Sequence, residues 1–200
     1  MSAGLEAVEA YLAPLPEGLD SYPECGMKGA TVRAYLGGLP AFTLSPDLPE
    51  PIAALFHRPP KSSAWVPEVV CHALITYVAF DVLGGEEAYL EHVHRTNYAL
   101  FTSLAYRVLF KVLSPKQIVT QASARWDVFH TGTTLAPVGK IGRKGGKLAM
   151  RGPPHHWSPL LSRGYASSFR AAAEAGGARD VGFEITADGP GGWIFDARWR

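Results

Sequence analysis

Near residue 125 the hydrophobic period of this chain changes from the three-and-four spacing of helices to the alternation of strands, and that switch constrains the fold more than any other feature. Upstream, Val66, Val69, Val70, Ala73, Leu74, Tyr77, Val78 and Phe80 or Asp81 share one broad face of a helix that Gly84-Gly85 stops. Downstream, Val181, Phe183 and Ile185 alternate into the turn Asp188-Gly-Pro-Gly-Gly192, and Trp193, Phe195, Ala197 and Trp199 alternate out of it, which predicts a hairpin. A second hairpin is predicted ahead of it. Trp126, Val128 and His130 are expected to begin the sheet, Leu135 and Val138 to continue it, Gly139 to Gly146 to form the tip, and Leu148 and Met150 to return. Between the hairpins Ser158-Pro159 is a cap followed by a first-turn proline, and the helix it starts carries Leu161, Tyr165, Phe169, Ala172 and Ala173 to a stop at Gly176-Gly177.

The remaining elements follow from punctuation. A helix is expected from Ala3 to Leu12, ended by Pro14, Pro16 and Gly18. The stretch to Pro60 is rich in proline and glycine, which leaves room for a short apolar element at Ala30–Leu36 and a short helix from Pro49 or Glu50 to Phe56, capped by Ser45 or Asp47. Glu86 and Glu87 suit the positive end of a second helix, which leads into Tyr98, Phe101, Leu104, Ala105, Val108, Leu109 and Val112, the core face of a third helical segment. Ser114-Pro115 starts one more helix, to about Ala124. The expectation is a single α+β domain over 1–200: a mainly helical part, 1–125, packed on a four-stranded antiparallel sheet made of two hairpins separated by a helix, 126–200.

Charge and composition narrow the function. Lys plus Arg number 19 against 18 Asp plus Glu, so the net charge of +1 supplies no general attraction to nucleic acid or anionic membranes. The longest apolar run, Val69 to Leu83, is interrupted by His72, Thr76 and Asp81 and is too short to span a bilayer. The first residues carry Glu6 and Glu9 in place of a basic leader, so a cytoplasmic location is expected. Cys25 and Cys71 form no CxxC and suit a reducing compartment.

Catalytic signatures are missing: there is no GxSxG, HExxH, GxGxxG or SxxK with matching partners. Metal ligation is not expected either. His92 and His94 lie two apart on a helix and diverge, His155-His156 has no acidic or thiol residue at a usual spacing, His72 reads as a core histidine, and His57 and His130 belong to no pattern. No cofactor is expected. The basic run from Gly139 to Arg151 holds Lys140, Arg143, Lys144, Lys147 and Arg151 with four glycines among them before Leu148, a composition able to hold an anion, although it is not a phosphate-binding Walker loop. The same run also makes a solvated hairpin tip with charged edge protection.

Several stretches resemble a family of domains of unknown function, of similar length, expanded as paralogues in myxobacteria. They are Lys28-Gly-Ala-Thr-Val-Arg-Ala-Tyr-Leu, Leu104 to Leu113 with Ser114-Pro115, Trp126 through Thr131-Gly132, Glu174-Ala-Gly-Gly, and Phe195-Asp-Ala-Arg-Trp199. The layout is similar, more loosely, to the superfamily of 4-vinyl-reductase-type sensors and trafficking-complex subunits. That resemblance implies helices on a four-stranded antiparallel sheet, homodimerisation, and a small aromatic or lipid-like ligand. It implies no haem or zinc, because the zinc-bearing members use a late cysteine cluster and no Cys follows Cys71. The expected function is a non-catalytic sensor or adaptor module in signalling that binds a small apolar ligand or a protein partner, with His94, Tyr98, Tyr106 and Trp126 lining the pocket. The alternative is an enzyme, or a binder of phosphorylated ligands or nucleic acid, that uses the basic hairpin.

Overall fold

The computed structural model describes residues 1–103 and 114–200. Helix α1 (Ala3–Leu12) begins where Ser2 accepts a hydrogen bond from the Leu5 amide. It is pinned from outside by Asp81, whose carboxylate accepts from the Gly4 amide at 2.7 Å and from the Ser2 hydroxyl. Leu5, Val8 and Tyr11, at helical spacing, then turn one face inward onto α4 (Glu68–Tyr77) and the single π-helical turn Val78–Val82 that continues it.

Helix α4 is the axis of the fold. Every residue in it except Ile75 is buried, and it is covered by α1, by α3 (Glu50–His57) and by α8 (Pro159–Ala175). A helix buried all round is apolar all round, so the polar side chains on α4 demand partners. A small antiparallel sheet meets its N-terminus. Strand β1 (Gly26–Lys28) lies between β2 (Trp65–Pro67) and β3 (His130–Thr131), with Met27 opposite both Val66 and His130. The Glu68 amide extends that join by donating to the Cys25 carbonyl at 3.0 Å. Gly132 follows with φ +71°, and a Cβ there would lie 2.7 Å from the Cys25 sulfur, so the chain can turn past Cys25 only as glycine.

The predicted four-stranded sheet is present. Its strands β4 (Thr134–Val138), β5 (Gly145–Arg151), β6 (Gly182–Ala187) and β7 (Gly192–Arg198) are all antiparallel in the order β4-β5-β7-β6. Leu135, Leu148, Met150 and Phe195 are buried on it, in one apolar cluster that extends from Leu5 to Trp199. Helix α8, capped by Ser158 as expected, joins sheet to helices: Phe169 meets Phe195 edge-on at 5.3 Å, while the other side packs on α5 (Glu86–Thr102). Helices α2 (Gly29–Gly37) and α6 (Pro115–Ala124) fall where the sequence predicts short and capped elements.

Three expectations are corrected. Trp126 does not begin the sheet: Trp126–Phe129 is one helical turn, α7, and the strand starts at His130. The apparent alternation is also the four-residue spacing of a helical turn, which brings the Trp126 ring flat onto His130 at 3.9 Å. Helix α3 is not capped by Ser45 or Asp47, because Pro49 occupies its cap position and no side chain bonds there. Val66 belongs to β2, outside the central helix, and the three-stranded sheet that holds it was not expected. Leu104, Ala105, Val108, Leu109 and Val112 lie outside the described residues.

Candidate functional site

Glu68 and His72 stand one helical turn apart on α4, so both side chains leave the same face. Neither has any exposed surface. Two more imidazoles converge on them from distant segments: His130 from the start of β3, and His156 from the loop between β5 and α8. Two backbone hydrogen bonds set the height of that loop, Gly152 N to Gly191 O at 2.9 Å and His155 N to Pro190 O at 2.6 Å. The Tyr22 hydroxyl fastens it across the fold by donating to the Pro154 carbonyl at 2.8 Å.

The carboxylate of Glu68 is the hub. Its Oε1 accepts from His130 Nδ1 at 2.7 Å and from the Tyr165 hydroxyl at 3.3 Å, and lies 3.6 Å from His72 Nε2. Its Oε2 lies 3.2 Å from His156 Nε2, off the line a hydrogen bond requires, so Oε2 and both ring nitrogens of His156 have no hydrogen-bond partner. His72 Nδ1 is 3.2 Å from the His156 carbonyl and 3.3 Å from the Tyr11 hydroxyl, which itself donates to that carbonyl at 3.1 Å. Aromatic rings enclose the group: Trp126 flat on His130, Trp157 edge-on to His156 at 4.9 Å, and Tyr11 edge-on to His72.

Burial sets the electrostatics. It opposes the charge on Glu68, yet His130 and His156 with nearby His72 outweigh it and hold the carboxyl well below the usual carboxylate range. Burial pulls His72 down to about 3, against the pull of Glu68, so this ring is neutral at ordinary pH. The Tyr11 and Tyr165 hydroxyls are raised, by burial first and by Glu68 next, and stay protonated. Glu68 makes no ion pair with any Lys or Arg among the described residues. An ionised carboxylate is therefore enclosed with three histidines and the Tyr165 hydroxyl, and with no Lys or Arg among the described residues.

The residues singled out from the sequence fall elsewhere. His94 and Tyr98, on α5, stack at 6.1 Å and line an open cleft of about 490 Å³ with Glu174, Ala178, Arg179 and Asp180. His94 Nε2 is 2.7 Å from Glu174 Oε2, and Glu174 also accepts from Arg170 at 2.8 Å. Trp126 does not join them, since it is buried over His130 with its indole N–H donating to the Thr133 hydroxyl. Tyr106 lies outside the described residues. In the basic hairpin Lys147 pairs with Asp196 at 3.1 Å and Arg151 with Asp188 at 2.6 Å. Lys140, Arg143 and Lys144 sit at its tip, where the Trp199 indole donates to the Arg143 carbonyl and the Trp199 amide to the Lys144 carbonyl. Of the buried cluster, only the Glu68–His72 spacing on an apolar helix carried a signal in the sequence.

The fold and site define an α+β domain built around a sealed carboxylate–imidazole group. No family model, curated protein or solved structure matches the chain. No single helix among the described residues is long and apolar enough to cross a membrane.

Proposed function

We propose that the chain is a non-catalytic sensor or adaptor module that meets its ligand or partner at its surface, in the cleft between α5 and the end of α8. The His94–Tyr98 ring pair carries this reading. Glu174 fixes His94 at 2.7 Å, and the exposed Tyr98 ring stands beside it with Arg179 and Asp180 across the cleft. A pre-ordered aromatic surface rimmed by polar groups suits recognition of a small aromatic molecule or an aromatic side chain of a partner.

The groups best suited to acid–base chemistry argue against an enzyme. Glu68, His72 and His156 have no exposed surface, and a general acid or base must come within hydrogen-bond reach of its substrate. The anion-binding alternative has less support, because Lys147 is already matched by Asp196 on β7 and Arg151 by Asp188 in the turn between β6 and β7.

Amide chemical-shift mapping against a panel of small aromatic and lipid-like molecules, with a photo-crosslinking phenylalanine analogue at position 98 in cells, tests the reading. Shifts confined to α5 and residues 174–180, or one discrete adduct at 98, are expected, with Tyr98→Ser and Arg179→Ala weakening whichever is found. Binding that neither substitution alters, or no shift and no adduct in either arm, overturns it.

A further inference from the structure

We propose that Glu68, His72 and His156 form a binding site for a divalent transition metal of the zinc class, independent of the surface cleft.

The first ground is spacing. One ligand atom from each residue lies within 4.8 Å of the other two. Zinc bonds to imidazole nitrogen and carboxylate oxygen of about 2.0–2.2 Å put tetrahedral ligands about 3.3 Å apart. Glu68 Oε1 to His72 Nε2 is 3.6 Å and Glu68 Oε2 to His156 Nε2 is 3.2 Å, and the two imidazole rings lie 4.9 Å apart centre to centre, so the carboxylate stands near ligand spacing from both rings.

The second ground is that protons alone do not satisfy these atoms. A carbonyl only accepts, so the short approach of His72 Nδ1 to the His156 carbonyl puts the proton of a neutral ring on Nδ1. His72 Nε2 is then a lone pair facing the Glu68 carboxylate, with the Tyr165 hydroxyl, 3.5 Å away, already donating to Oε1. Glu68 Oε2 and both nitrogens of His156 are buried without a hydrogen-bond partner. Lone pairs aimed at one another in a sealed interior are costly, and a cation bound by His72 Nε2, Glu68 Oε2 and His156 Nε2 relieves those three atoms, with His156 Nδ1 left as the N–H of the ligating ring.

The third ground lies outside the ligand set. An imidazole ligand characteristically donates its other N–H to a backbone carbonyl or carboxylate, and His72 does so to His156 O. A carboxylate ligand is itself hydrogen-bonded, and Glu68 takes His130 and Tyr165 on Oε1. Two imidazoles and one carboxylate without a thiolate select zinc-like ions over calcium or magnesium, which take all-oxygen shells. Since the site has no exposed surface, loading requires the loop that carries His156 to open, and exchange is expected to be slow.

The test uses the full chain without a histidine tag, unfolded and refolded with zinc, cobalt, magnesium or calcium, then dialysed and assayed by metal analysis. About one zinc or cobalt per chain is expected, with a raised melting temperature and a cobalt spectrum of low coordination number without thiolate charge transfer. The double variant His72→Gln/His156→Gln should hold at least about tenfold less, and His155→Gln, at the exposed neighbour, as much as the parent. Parent protein that regains its native circular dichroism yet holds less than about a tenth of an equivalent overturns the proposal. So does retention of metal by the double variant, or a preference for magnesium or calcium. If the double variant fails to fold, the parent's stoichiometry and cobalt spectrum decide alone.

Discussion

His130 Nδ1 and Glu68 Oε1 meet at 2.7 Å inside the protein, joining the first strand after the helical region to the first residue of its central helix. This is the shortest hydrogen bond to the Glu68 carboxylate, so its loss leaves a buried charge short of a donor. His130→Ala should therefore cost about 3 kcal/mol in urea unfolding, while His57→Ala at an exposed position should stay within about 0.5 kcal/mol of the parent. Equal effects of the two would show that Glu68 does not depend on His130.

Asp81 makes a smaller but more local prediction. Its carboxylate bonds the Ser2 hydroxyl and the Gly4 amide, which places a negative charge at the N-terminus of α1. Asp81→Ala should cost about 1–2 kcal/mol. Hydrogen exchange should speed up first in the α1 amides, and protection unchanged there would rule the anchor out.

What was legible in the sequence depended on how locally each feature is encoded. The helices that begin at Ser2 and Ser158 and the hairpin around Gly189 are written in their own caps and turns, and they form where expected. Strands β1, β2 and β3 hold two or three residues each and pair across long stretches of chain, so no periodicity could mark them. The buried cluster was illegible for the same reason. His72 was read as a core histidine, and its ring is indeed fully buried, but its neighbours His130 and His156 arrive through tertiary contacts.

Gly164 of α8 faces the Tyr89 side chain of α5. A Cβ at this position would lie 2.0 Å from the Tyr89 hydroxyl oxygen, on a side chain that is itself buried. Gly164→Ala should destabilise by about 2 kcal/mol despite its better helix propensity. Adding Tyr89→Phe removes the clashing oxygen and should recover part of that loss; a double mutant as unstable as the sum of the singles would contradict the contact.

The two thiols should be inert in the native protein. Cys25 and Cys71 are buried, and burial, with Glu68 next, pushes Cys25 up to about 12 and Cys71 higher still. Only the thiolate reacts. Iodoacetamide near pH 8 should label neither in folded protein and both in denaturant, read by intact mass; rapid labelling of either under native conditions would contradict the enclosure of the α4 N-terminus.

His92 gives the chain a pH dependence separate from the Glu68 cluster. It is buried at 2 % exposure, edge-on to Tyr35 of α2 at 5.6 Å, and so near Gly38 that a Cβ there would lie 3.1 Å from its ring. Burial, and then the charge of Arg95 on its own helix, lower its pKa below 6.5, opposed by a contact to the Tyr35 backbone. The unfolded chain consequently takes up a proton at His92 before the folded chain does, so stability is complete above 6.5 and falls as the pH drops below it. His92→Leu removes that proton uptake. Urea midpoints measured at about pH 7.5 and about pH 5.5 should fall less in the variant than in the parent, whatever the absolute cost of the substitution. Parallel falls in the two proteins would mean that His92 titrates alike in the folded and unfolded chains, and that the lowered pKa assigned to it is wrong.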